Sequence, residues 1–246
     1  MQSLADSQNK ISKKVSVIIA SYNKRAYLRQ AIASVLTQTL QNWQLIVIDD
    51  CSIDGSFAEA LEWQNLGDIL LLRTNLAKHG ANDNGICRFA HNINLAYKQA
   101  IGEYITYLAD DDFFLPWRLE MMARCLDFDK EMHVVYGQQQ ILQESEGSWL
   151  MGKVRKTVGV TLHGEQQIDH SSVMHTRECF EKVGGWDEQA PMRYGDAYFW
   201  EKLNKAGYLF YPIPLVMDVH RYHHLSYTYS LDHPEEKLNN CVIAQS

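Results

Sequence analysis

No apolar run in this 246-residue chain approaches the ~20 residues that a membrane-spanning helix requires, and no cluster of Lys and Arg offsets its formal net charge of −7. The first absence argues against a transmembrane segment. The second removes the basis for a general affinity for nucleic acid or anionic membranes, so an anionic ligand has to be held locally, by a metal ion or a few basic residues. The five cysteines, Cys51, Cys87, Cys125, Cys179 and Cys241, are scattered, odd in number and free of CxxC spacing, which indicates neither a disulfide framework nor a zinc site. Reduced, mostly buried thiols are expected. The opening MQSLADSQNKISKK has no apolar core of signal-peptide length, and residues 1–13 read as a polar tail. A soluble, cytoplasmic protein is the expectation. No GxGxxG follows the first strand signal, which disfavours a dinucleotide fold, and neither GxxxxGK[ST] nor GxSxG occurs, so a P-loop and a serine nucleophile elbow are excluded. Repeats, low-complexity tracts and Pro/Gly/Ser linkers are missing as well, and one domain over residues 1–246 is expected.

What is present alternates. Val15 to Ala20 (VSVIIA) and Trp43 to Ile48 (WQLIVI) are short apolar runs rich in β-branched residues, as expected of parallel strands buried on both faces. Between them Tyr27, Leu28, Ile32, Val35 and Leu36 have helical spacing. A helix over 56–65, a strand over 69–73, a helix over 86–100 and a strand from Tyr104 continue the pattern, which predicts a doubly wound, Rossmann-like, largely parallel α/β sheet flanked by helices. Past a helix at 116–128 the grammar changes. Strands at 134–142, 148–160 and 172–175 have little helix between them and predict a mixed or antiparallel part, with helices at 177–183 and 195–206. Tyr208 to Val219 is apolar but interrupted by Pro212 and Pro214.

The stretch Gly102–Leu119, GEYITYLADDDFFLPWRL, joins a strand, three carboxylates and a helix start. Asp110, Asp111 and Asp112 fall just beyond the carboxyl end of the strand, where open α/β sheets bind ligands. Adjacent carboxylates raise one another's pKa unless a cation sits among them, and an oxygen-only set suits Mg²⁺ or Mn²⁺. A solvated acidic turn that starts the next helix is the plain alternative. Asp49 and Asp50 end the second strand in the same way, and a third acidic region lies in WDEQAPMRYGDAYFW.

VSVIIASYNKRAYLRQAIASVLTQTLQNWQLIVIDDCSIDGS followed by GEYITYLADDD resembles the family 2 glycosyltransferases of the GT-A fold, inverting enzymes that use nucleotide-activated sugars. IDHSSVMH, GGWDE and RYGDAYFW resemble the corresponding parts of spore-coat polysaccharide glycosyltransferases of this family, so the resemblance runs over nearly the whole chain. It implies that Ala20, Ser21 and Tyr22 hold a nucleoside with Tyr22 on the base, that Asp50 accepts the N–H of a uracil-like ring, and that Arg88 contacts base or phosphate. A flat base needs an aromatic face and an imide N–H needs an acceptor, which agrees with those roles. It further implies a metal motif at Asp110, Asp111 and Asp112, with Asp112 the direct ligand of a divalent cation and the first carboxylate reaching the ribose or a metal-bound water.

The resemblance places the base that deprotonates the acceptor hydroxyl at Asp196, with Asp187 or Glu188 in reserve; an aspartate there also suits a helix N-terminus. His220, in DVHRYHHLSY, has no motif to vouch for it as a metal ligand, and Trp186, Trp200, Tyr194 and Tyr198 fit a sugar platform or a core equally. The QxxRW signature of processive members is absent, which favours transfer of a single sugar to a saccharide or other hydroxyl acceptor, in polysaccharide or glycoconjugate biosynthesis. The donor site is expected in 15–112 and the acceptor site in 113–246, with a UDP or dTDP sugar as donor. Two rivals remain: a sugar-nucleotide pyrophosphorylase, whose GxGxRL-type loop is replaced here by ASYNKR, and a non-catalytic nucleotide- or carbohydrate-binding module on the same fold.

Overall fold

The computed structural model describes residues 13–74, 76, 85–160 and 168–226. The predicted tail lies outside them except for Lys13. Alternation of apolar side chains decides the architecture. In β1 (Lys13–Ser21), Val15, Val17 and Ile19 point to one face of the sheet and Ile18 to the other, and in β2 (Trp43–Asp49) Leu45 and Val47 oppose Ile46 and Ile48. Each face therefore requires its own cover. One is packed by α1 (Arg25–Leu36) and α2 (Ser56–Trp63), the other by α3 (Arg88–Tyr97). With β3 (Ile69–Arg73) and β4 (Gly102–Tyr107) these strands pair in parallel in the order β3, β2, β1, β4.

The second half adds β5 (Phe113–Phe114), α4 (Arg118–Phe128), β6 (Val134–Ser145), β7 (Ser148–Arg155), β8 (Val173–Thr176), α5 (Arg177–Val183), α6 (Gly195–Lys205) and β9 (Phe210–Tyr222). All nine strands form one sheet in the order β3-β2-β1-β4-β8-β6-β9-β5, with β7 paired to β6. β8 runs antiparallel to β4 and β6, whereas β9 runs parallel to β6, so the added part is mixed as predicted. α4 joins α1 and α2 on one face, and α5 and α6 bring Phe180, Phe199 and Trp200 to the other.

Local boundaries differ from the sequence expectation for identifiable reasons. The helix expected from Pro116 begins at Arg118, because Leu115 still donates to the Met217 carbonyl at 2.9 Å. Most of Tyr208 to Val219 proves to be strand: β9 starts at Phe210 and runs on to Tyr222, thirteen residues in all. Pro212 and Pro214 survive there because the ladder to β6 is irregular between Tyr136 and Gln139, where a missing N–H costs no regular pairing.

β4 and β8 meet around a buried histidine. His175 Nδ1 lies 2.8 Å from the Thr176 carbonyl, which only accepts, so Nε2 takes the Tyr107 hydroxyl proton at 2.8 Å and the ring is neutral. Burial pushes its pKa down to about 4. The unfolded chain then binds a proton below about pH 6.5 that the folded chain refuses, so stability falls as pH drops through that value. Chemical denaturation at pH 7 and pH 5 is expected to show a loss of about 2 kcal/mol attributable to this ring. In His175→Asn the loss between the two pH values should be smaller by that amount.

Candidate functional site

The carboxyl ends of β1, β2 and β4 lie side by side. Asp50 N–H donates to the Ser21 carbonyl at 2.8 Å and Leu108 N–H to that of Ile18 at 3.0 Å, so the segments after all three strands leave the sheet at one edge. Ala20 and Ser21 end β1, and Tyr22, about one-third exposed, follows them. Its backbone N–H donates to Asp110 Oδ2 at 2.9 Å. Asp50 is buried beside Arg88, the first residue of α3, which grips it with Nε to Oδ2 at 2.8 Å and Nη2 to Oδ1 at 2.6 Å. The two residues assigned to the base are thus brought together, and the guanidinium fixes the plane of the carboxylate. Cys51 follows with φ at 60°, a left-handed turn that breaks the strand direction immediately after Asp50.

The acidic triplet is not a solvated turn. Asp110, Asp111 and Asp112 are all buried, and each has its own partners. Burial raises the Asp110 pKa to about 7 against the pull of Lys24. Burial pushes Asp111 the same way, but the Lys24 ammonium 2.5 Å from its Oδ2 and His223 Nε2 at 3.1 Å outweigh it and hold the carboxyl well below its ordinary range. Asp112 is completely enclosed: Oδ1 accepts Arg221 N–H at 2.9 Å, and Oδ2 meets Ser171 Oγ at 3.2 Å and His220 Nδ1 at 3.1 Å. His220 is half-buried, and although its desolvation disfavours the charged form, Asp112 and Asp169 raise its pKa to about 9.

Two groups of donor atoms follow. Asp112, Asp169 and His220 each offer one atom within 4.8 Å of the others, and so do Asp169, His170 and Asp196. Asp169 is common to both. It precedes a turn at His170–Ser172, where its side chain accepts Ser171 N–H at 2.9 Å. Burial opposes ionisation of Asp169, but His170 and His220 hold its pKa far below the usual carboxylate range. At the N-terminus of α6, burial and then the Asp169 charge bring the Asp196 carboxyl up to about 6, with His170 opposing. The His170 ring is stacked with Phe89 at 6.1 Å and edge-on to Trp186 at 6.3 Å.

Ala20, Tyr22, Asp50, Arg88, Asp110, Asp111 and Asp112 therefore share one edge, and Asp196 reaches it through Asp169 and His170. Asp187 and Glu188 are occupied otherwise: Asp187 caps Gln189 N–H at 2.9 Å, while Glu188 holds His91 and Asn94, both at 2.8 Å. Trp186 and Trp200 are buried in the aromatic core around Phe199, and only Tyr198 of the proposed platform is exposed. Sequence reasoning gave no role to Asp169, His170, Ser171 or His223. A carboxylate and imidazole adjacent in IDHSS, and a second imidazole three residues after His220, were the available signals.

A parallel α/β sheet carrying buried carboxylates beyond β2 and β4, extended by a mixed C-terminal part, defines the GT-A type of glycosyltransferase fold. Residues 16–180 match the profile of glycosyl transferase family 2, and the chain belongs to that family. It is 35% identical to Protein CgeD of Bacillus subtilis (strain 168) over 215 residues, which cover 85% of this chain and 50% of CgeD. The chain thus spans about half the length of that relative. Among solved structures it is similar to the mannosyltransferase PcManGT from Pyrobaculum calidifontis in complex with GDP-Man and Mn²⁺, with a TM-score of 0.66, 16% identity and coverage of 90% of this chain and 61% of that one. A structure of S. aureus TarS in complex with UDP gives a TM-score of 0.64 at 15% identity, covering 85% and 60%.

Close approach of α6 to α3 is what seats Asp196. A Cβ on Gly195 would lie 2.4 Å from Phe89 Cζ and 3.0 Å from Cys87 Sγ. Gly195→Ala must displace the Phe89 ring or α6 itself, and a loss of about 1–3 kcal/mol is expected in chemical denaturation, as for other overpacked sites.

Proposed function

We propose that this chain is a metal-dependent, inverting, non-processive glycosyltransferase that moves one sugar from a UDP or dTDP sugar to the hydroxyl of a saccharide or similar acceptor in polysaccharide or glycoconjugate biosynthesis. One observation carries the reading: Asp50 with Arg88, the buried Asp110 to Asp112, and Asp196 converge on one sheet edge, linked by Asp169 and His170. Residues 15–112 hold the donor and 113–246 supply the acceptor side. Tyr22 packs on the base, Ala20 lines the nucleoside, and Asp50, oriented by Arg88, accepts the imide N–H. Asp110 and Asp111 take part in holding the ribose and diphosphate. The free thiols at Cys51, Cys87, Cys125 and Cys179 fit a cytoplasmic setting, and no helix among the described residues is long and apolar enough to cross a membrane.

Two carboxylates and one imidazole, Asp112, Asp169 and His220, fit a divalent cation, and the nitrogen donor favours Mn²⁺ over Mg²⁺. When bound, the cation would neutralise charge on the departing nucleoside diphosphate, worth several kcal/mol. A second placement is favoured by a different observation: Lys24 and His223 both meet Asp111 Oδ2, which marks that oxygen as a seat for positive charge. Asp196 takes the proton from the acceptor hydroxyl as that oxygen attacks the anomeric carbon opposite the leaving group. Its raised pKa keeps it a useful acceptor.

Calorimetric titration with UDP, dTDP and GDP, with and without Mn²⁺, tests the donor half. Binding of a pyrimidine diphosphate that needs Mn²⁺ and is lost in Asp112→Ala and His220→Ala supports the first placement. Loss in Asp111→Asn and His223→Ala with Asp112→Ala intact moves the cation to the second. Absence of metal-dependent binding of every nucleotide overturns the reading in favour of a non-catalytic module. For the base, Asp196→Asn is expected to keep donor affinity and lower transfer about 10²–10⁴-fold; near-normal transfer removes Asp196 from the role.

A further inference from the structure

Behind the acidic edge lies an ion pair that the proposed chemistry does not use. Arg118 opens α4 and Asp218 sits on β9; both side chains are wholly buried, with Nε and Oδ2 3.6 Å apart. Arg118 Nε and Nη1 and both Asp218 carboxylate oxygens make no hydrogen bond among the described residues. Two charges taken out of water and completed so poorly are weak evidence for stability, because desolvation offsets most of the Coulomb gain.

What the pair touches is more informative. The Arg118 guanidinium lies 3.7 Å over the Phe114 ring, and Nη2 donates to the carbonyls of Ser171 at 2.5 Å and Val173 at 3.3 Å. Those carbonyls belong to the segment that follows Asp169. Its Ser171 hydroxyl donates to Asp112 Oδ2 at 3.2 Å and accepts Ala109 N–H at 3.0 Å. On the other arm, Asp218 and His220 lie two residues apart in the part of β9 that pairs regularly with Gln139 to Gln143, so both side chains leave the same face of the strand. The next residue, Arg221, gives its N–H to Asp112 Oδ1 at 2.9 Å.

We propose that Arg118 and Asp218 are positioning residues, an internal strut that sets the Asp169–Val173 segment and β9 at one spacing, so that Asp169, Ser171 and His220 converge on Asp112. The strut deepens the cation reading above and depends on it for one of its two readouts. An Arg118→Met/Asp218→Leu double variant removes the charges while keeping their volume, and such replacements of buried pairs are often neutral or stabilising. It is expected to unfold cooperatively near the wild-type temperature, yet to bind Mn²⁺ alone, followed by electron paramagnetic resonance, at least tenfold more weakly. Hydrogen exchange at the Ala109 and Arg221 amides should be at least tenfold faster. Unchanged exchange at both amides overturns the strut whatever the Mn²⁺ result. A wild type that binds no Mn²⁺ overturns the first cation placement separately, and the exchange rates alone then decide the strut. Should the double variant fail to fold, Arg118→Lys decides: it keeps a cation opposite Asp218 but loses the guanidinium fork. Tenfold faster exchange at either amide supports the strut, and wild-type rates at both overturn it.

Discussion

Concentrated negative charge at a buried sheet edge is the constraint on which the rest of this protein depends. Three successive carboxylates after β4, with Asp50 on one side and Asp169 on another, cannot stay ionised away from water without positive partners. Those partners come from separate parts of the chain. Lys24 lies just before α1, Arg88 opens α3, His170 follows Asp169, and His220, Arg221 and His223 arrive on and after β9. Neutralising the edge thereby ties the first hundred residues to the last described strand.

The balance is uneven, and the unevenness gives each carboxylate a separate character. Asp111 is held ionised by Lys24 and His223, whereas Asp110 next to it is pushed to about 7 by burial. Asp196, farther along the same edge, sits at about 6, so like Asp110 it is shifted toward neutrality by its surroundings. Neighbouring groups of one chemical type are thus given different proton affinities by their surroundings alone.

The parallel half of the sheet was legible because VSVIIA and WQLIVI are buried on both faces, and burial on both faces leaves an unmistakable apolar run. Asp50 and the triplet were legible because their place after such runs fixes which edge they occupy. Other parts were hidden for physical reasons. β9 carries two prolines and reads as broken, although an irregular ladder to β6 absorbs them. Arg88 was legible only through the family resemblance, since nothing local announces that Asp50 lies 2.6 Å away across the sheet edge. Asp169 and His170 sit in a short turn without periodicity, and their proximity to Asp112 and Asp196 is created by β8 pairing antiparallel to β4, a tertiary fact.

β9 has a consequence for the order in which the molecule is made. A ribosome delivers the parallel strands and their carboxylates about a hundred residues before it delivers His220, Arg221 and His223. During that interval Lys24 and Arg88 are the cationic side chains from the earlier segments that already face the edge. Until β9 is made, the carboxylates of the earlier strands lack the partners that it and the residues just after it supply. Completion of this edge is in that sense a late event in the life of the chain, set by synthesis of the last described strand.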